Sequence, residues 1–207
     1  MSEKNQLARL ETFCDGVFAI AATLLILEIK IPPVDSIHSV SDLSQRLLED
    51  WPSWFGFCLS FIIIVIAWVN HHVCSQHISK SSSLFIYANL FLVFTVAVLP
   101  FVTGLMAEYL QTPYAQPAVS IYCFVLLIHN IAWILLMRSI FYPVPLTGDE
   151  AGHKMLLMTK KNSEFAFFIY VAIFIFSFWF PVIAMVLITA SWIMWIITGI
   201  TMHPKNR

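Results

Sequence analysis

The sequence predicts an all-α integral membrane protein with six transmembrane helices. Composition, long apolar stretches and segregated charge each point to that class. Of 207 residues, 59% are hydrophobic and only 11% charged, and the mean hydropathy is +0.82. Soluble domains are about 45–50% apolar and about 25% charged. One globular core cannot hide this much apolar surface, so the surplus must face lipid.

A membrane helix needs about 20 mostly apolar residues to cross about 30 Å of hydrocarbon. Stretches at 10–31, 54–73, 84–106, 118–137, 165–180 and 182–200 meet that need. They make residues 1–207 a single six-helix transmembrane domain. The first stretch follows Lys4 and Arg9, and Ala19-Ile20-Ala21 resembles a cleavage site. However, Glu11 and Asp15 interrupt the apolar run, which then continues to Ile31. The stretch therefore reads as a membrane helix rather than a cleaved signal. Between the last two stretches, Pro181 is the natural turn, because proline suits the first turn of a helix.

The connections are short. The segment 32–50 reads as the longest outer loop, with Asp35, Asp42, Glu49 and Asp50. The link 139–164 holds Pro143, Pro145 and Gly148. Neither leaves room for a soluble catalytic domain. No GxSxG or HExxH pattern is present, so the sequence carries no hydrolase signature. No basic stripe points to nucleic acid. Cys14, Cys58, Cys74 and Cys123 form no CxxC pair and read as reduced, buried thiols.

Charge sets the orientation. With the N-terminus in the cytoplasm, the inner segments hold nine cations: Lys4, Arg9, Lys80, Arg138, Lys154, Lys160, Lys161, Lys205 and Arg207. The outer segments hold only Lys30 and Arg46. This positive-inside bias puts both termini in the cytoplasm. Trp51, Trp54, Tyr109 and Tyr114 then fall at outer boundaries, where an aromatic belt belongs.

The first stretch is unusually polar. It carries Arg9, Glu11 and Asp15 at its inner end and Glu28 at its outer end. Charges inside a membrane are costly and face protein or water rather than lipid. Arg9 and Asp15 stand six residues apart, about 240° around a helix of 3.6 residues per turn. Each should therefore bind a neighbouring helix. Asn70, His71 and His72 end the second stretch on the same side, and Asn89 lies near the start of the third. A polar knot of these groups would fix the first helix in the bundle. Further along, Ile20, Thr23, Leu24 and Leu27 recur at i, i+3, i+4 and i+7. That spacing makes one helix edge, and by itself it fits ordinary packing as well as a pore lining. Gly16, Ala19, Ala21 and Ala22 permit close helix approach nearby.

The run Arg9-x-x-x-Phe13-Cys14-Asp15-Gly16-Val17-Phe18-Ala19-Ile20-Ala21-x-Thr23-Leu24-Leu25-x-Leu27-Glu28-Ile29 resembles the signature of the endosomal and lysosomal potassium channel family, transmembrane protein 175. Trp68-Val-Asn-His71-His72 and the run from Asn89 through Pro100 to Thr103 are similar to the family as well. The resemblance covers the first half of the chain. The last three stretches match by hydropathy alone, and the length fits the single-repeat prokaryotic branch. Cys14 departs from the family, which usually has Ser there.

The resemblance implies a homotetramer, with the first helix of each subunit lining a central pore. Ile20 would be the main constriction, and Leu24 and Leu27 would form further apolar rings. Thr23 would supply a hydroxyl ring that contributes to selectivity. Arg9, Phe13, Asp15, Asn70, His72 and Asn89 would brace the pore helix. Glu28 and the acidic outer loop would concentrate cations at the mouth. No TVGYG-like carbonyl filter exists in the sequence, so K⁺ would be only weakly preferred over Na⁺. Partners would be the chain itself, the bilayer and monovalent cations, with no cofactor. The expected location is a bacterial plasma membrane.

Two other classes compete. A secondary transporter usually shows repeats and broken helices near the midplane, and here only Pro100 interrupts a stretch. A haem-binding oxidoreductase would draw on His129, His71 and His72, which lie at different predicted depths.

Overall fold

The structure, a computed structural model, describes residues 3–202. Lys205 and Arg207, which enter the charge count, lie outside the described residues. Helix α1 runs over Glu3–Leu24 and tightens into a 3-10 turn at Leu25–Glu28. It begins earlier than the predicted stretch and stops short of Ile31. The 32–50 segment is not loop throughout. It holds a 3-10 turn, Val34–Ser36, and helix α2, Val40–Glu49. Ser39 caps α2 by accepting the Asp42 N–H, which satisfies one otherwise unpaired donor.

Helices α3, Trp51–Ser75, α4, Ser83–Tyr109, and α5, Ala115–Phe141, follow the second to fourth predicted stretches. Helix α6, Glu150–Ser177, departs from the fifth. The helix starts well before residue 165, capped by Asp149, whose carboxylate accepts the Gly152 N–H at 2.8 Å. The charges at Glu150, Lys154, Lys160, Lys161 and Glu164 make its first half read as a connection, yet an exposed charged face is compatible with a helix. Helix α7, Pro181–Met202, starts with the predicted proline.

Four of the six predicted spans are long and apolar enough to cross a membrane as the structure describes them. Among the described residues, these four are Asn5–Glu28, Trp51–Ser75, Ser83–Tyr109 and Ala115–Phe141. The apolar helix Pro181–Ile197 is shorter, and α6 is apolar only in its second half. Among the described residues there is no β-strand, only an isolated bridge between Ile78 and Thr147. It ties the α3–α4 connection to the α5–α6 connection.

Helix α4 is the organising element. It packs most extensively on α5 and also on α1 and α3, while α5 carries α6 and α7 on its other side. Lipid offers no hydrophobic drive for helix association, so close packing and shared hydrogen bonds do the work. Ser60 of α3 sits 2.6 Å from Thr103 of α4 and 2.8 Å from the Tyr122 hydroxyl of α5. Ser177 of α6 donates to Ser120 of α5 at 2.9 Å. The core around them holds Leu59, Leu92, Leu99 and Met106, each fully buried.

Helix α1 lies at the margin of this bundle. It contacts α4 and α3 along one edge and leaves the opposite edge bare. That asymmetry positions the candidate site.

Candidate functional site

Both edges of α1 are apolar, and packing tells them apart. Cys14, Phe18, Ala21 and Leu25 recur at helical spacing and are 0–2% exposed. They form the edge that seats α1 on the bundle. The other edge carries Ile20 at 60% exposure, Leu24 at 43% and Leu27 at 71%, with Thr23 also exposed. The helix tightens after Leu24, and a 3-10 helix has three residues per turn. Leu24 and Leu27 therefore stack on one line instead of drifting around the helix.

Thr23 sits in the middle of this edge. Its hydroxyl donates back to the Ile20 carbonyl at 2.9 Å, with the Ala19 carbonyl at 3.0 Å. The proton is thereby taken up within the helix. The oxygen keeps its lone pairs on a residue that is exposed.

The N-terminal end of α1 is braced by α3. The indole N–H of Trp68 donates to Asp15 at 2.9 Å. Trp68 stacks on His72, with ring centroids 5.9 Å apart, and His72 Nδ1 lies 3.4 Å from Glu11. Glu11 and Asp15 are thus both held by one face of α3, as residues four apart on a helix permit. Arg9 and Phe13 lie on the outward side, lining a groove with Ser82, which caps α4, and Ile86 of α4.

His71 belongs to the polar knot read from the sequence, although the resemblance leaves it out of the brace. It is buried beneath Phe18, and its Nε2 lies 2.8 Å from Asn89 Oδ1. The Asn89 amide N–H₂ donates to the Phe85 carbonyl. Its oxygen therefore faces His71, and the ring carries its proton on Nε2. Thus Asn89 reaches α1 through His71 and Phe18. Asn70 lies elsewhere: it is buried and lines a cavity of about 40 Å³ with His129 and Asn130. The three consecutive polar residues point in different directions because each step turns a helix by about 100°. Tertiary contacts decide that His71 and His72 meet α1 while Asn70 does not.

His129 has a complete set of partners. Thr95 gives its hydroxyl proton to the Leu92 carbonyl, so its oxygen accepts from His129 Nδ1 at 2.8 Å. Trp133 donates to Nε2 at 3.2 Å. Neither ring nitrogen is left to ligate a haem iron.

At the far end of α1, Glu28 turns toward α4. A Cβ at Gly104 would overlap its carboxylate, so glycine is what admits it. Lys30 pairs with Glu108 of α4. That hydrogen bond, reinforced by nearby carboxylates, raises the Lys30 ammonium above its ordinary pKa. The 3-10 turn is therefore clamped on α4 at two successive turns.

Comparison with known proteins agrees with this architecture. Residues 9–100 match the family model of the endosomal/lysosomal potassium channel TMEM175. A potassium channel of Chamaesiphon minutus is 36% identical over 85% of this chain and 86% of its own length. One from Streptomyces collinus is 36% identical over 70% of this chain and 67% of its own. A crystal structure of a lysosomal potassium-selective channel TMEM175 homolog from Chamaesiphon minutus superposes with a TM-score of 0.84 at 31% identity, covering 94% of this chain and 98% of that one. These are ion channels rather than enzymes, and no cofactor is indicated for them. The chain belongs to the endosomal/lysosomal potassium channel family, TMEM175.

Proposed function

We propose that the chain is one subunit of a homotetrameric potassium channel of a bacterial plasma membrane, with the exposed edge of α1 lining the central pore. The observation that carries this reading is the division of α1 into a buried edge and a bare edge. A bare edge at the bundle margin faces either lipid or other copies of the chain, and a threonine among its apolar residues suits a shared aqueous axis better than lipid. The bare edge holds Ile20, Thr23, Leu24 and Leu27, all exposed. Relatives that share most of this chain's length are named potassium channels.

In this reading four Ile20 side chains form the main constriction. An apolar ring closes a pore by dewetting, and slight widening admits hydrated or partly hydrated ions. Leu24 and Leu27 add rings toward the outer end. Four Thr23 oxygens, their protons already committed to the helix, offer an unshared lone-pair ring to a passing cation. With so few fixed ligands, K⁺ is preferred over Na⁺ only modestly. Glu28 adds negative charge at the outer mouth, which raises local cation concentration, and its seat on Gly104 anchors the pore helix there. Asp15, Trp68, His72 and Glu11 hold the inner end, with Arg9 and Phe13 beside them. Asn89 supports it from beneath, while Asn70 braces the bundle on the α5 side. Both termini lie in the cytoplasm, with α6 and α7 completing six spans.

The test is electrical recording from the purified protein in planar bilayers with K⁺ on one side and Na⁺ on the other. Ohmic current with a reversal potential displaced toward the K⁺ side fits a potassium channel. Slow, saturable flux coupled to a proton gradient would favour a transporter instead.

A further inference from the structure

Away from α1, a groove of about 720 Å³ opens between α4, α5 and α6. It lies at the end of the bundle that carries the N-terminus, the end rich in lysine and arginine. Its floor is apolar. Leu84 and Phe91 lie two turns apart on α4, facing Leu135 of α5, so the floor runs from the helix ends toward the middle of the span.

The head of the groove is charged. Arg138 closes α5, and Lys160 and Glu164 stand one turn apart on α6. Arg138 lies 3.4 Å and Lys160 3.9 Å from the same Glu164 oxygen. Charge-assisted hydrogen bonds run about 2.7–2.9 Å, so neither cation is tightly engaged. Two cations share one carboxylate, which leaves a net positive charge. A guanidinium offers five donors and an ammonium three, so most of theirs remain unused.

We propose that this groove binds one anionic phospholipid. Its phosphate sits between Arg138 and Lys160, and an acyl chain lies along the α4–α5 floor. A soluble anion would match the head alone and gain nothing from an apolar floor leading into the membrane. Basic pockets between transmembrane helices on the cytoplasmic side commonly recognise anionic headgroups. Glu164 keeps the site selective: it holds the cations in place and weakens attraction for any single negative charge that arrives without a fitting chain.

Native mass spectrometry of the full chain tests this, with phosphatidylglycerol or phosphatidylcholine as the added lipid. The wild type should retain phosphatidylglycerol in preference. Arg138→Gln combined with Lys160→Gln should lower that retention about tenfold or more, given roughly one unit of surface attraction lost at each cation. Glu164→Gln, which keeps both cations, should raise it severalfold. Lys161→Gln, an exposed neighbour outside the groove, should leave it within about twofold. Equal retention of the two lipids, or equal shifts with Lys161→Gln, would overturn the proposal. So would full competition by inorganic phosphate, which would assign the head to a soluble anion. Loss of subunit association without loss of lipid would assign the groove to a second copy of the chain and equally overturn it.

Discussion

Trp68 holds Asp15 by a single indole hydrogen bond of 2.9 Å, and through His72 the same face of α3 reaches Glu11. The polar end of α1 is thereby tied to the bundle without a charge pair buried in lipid. Asp15→Ala leaves the indole N–H without its acceptor and should lower stability by about 1 kcal/mol, since the pair is partly exposed. Asp15→Asn retains an acceptor and should cost less. Thermal unfolding of the detergent-purified variants measures the difference, and equal losses would remove the hydrogen bond from the account.

Asn89 is the partner of the buried His71 Nε2–H, so its loss should cost more. Asn89→Leu leaves the His71 Nε2–H buried without a partner, a penalty of about 1–3 kcal/mol. Removing both groups together, as His71→Phe with Asn89→Leu, should recover part of that loss. A double-mutant cycle on unfolding free energy reads the coupling, and strict additivity would contradict the pairing.

Gly104 and Glu28 are coupled by space rather than charge. Gly104→Val puts a side chain where the Glu28 carboxylate lies and should destabilise by up to about 1 kcal/mol, at the low end of overpacking, because the flexible acid end can swing aside. Truncating the intruding side chain with Glu28→Ala should relieve most of it. If Glu28→Ala gives no relief in the Gly104→Val background, the clash lies elsewhere.

Lys30 supplies a pH test with a definite sign. Its pKa is raised by Glu108, so its contribution is complete below the ordinary lysine pKa and disappears as pH rises through the raised value. Both side chains are more than half exposed, which limits the effect to under about 1 kcal/mol. The stability gap between wild type and Lys30→Gln should persist at neutral pH and close at strongly alkaline pH. A gap that widens with alkalinity would contradict the pairing.

Much of α1 is legible in the sequence because its charged ends and its Ile20–Thr23–Leu24–Leu27 spacing are local features. Its buried edge is not. Cys14, Phe18, Ala21 and Leu25 have the same period and the same apolar character as the bare edge, and a helix apolar all round does not announce which side packs. The choice of His71 over Asn70 as the partner of Asn89 is likewise set by how α3 rotates against α4, a non-local fact. Helix α6 was obscured by its own charges. Lys154, Lys160 and Lys161 resemble a connection until Asp149 is seen to cap a helix that places them on one flank. The family resemblance, not the spacing alone, singles out the edge proposed to line the pore.

Single-channel recording of Ile20→Asn addresses the central claim most directly. A polar side chain at the narrowest apolar ring should wet the constriction and raise unitary conductance well above wild type, while Leu25→Asn, on the buried edge, should impair folding or assembly instead. Unchanged conductance in a correctly assembled Ile20→Asn channel would show that ions do not pass along this edge of α1.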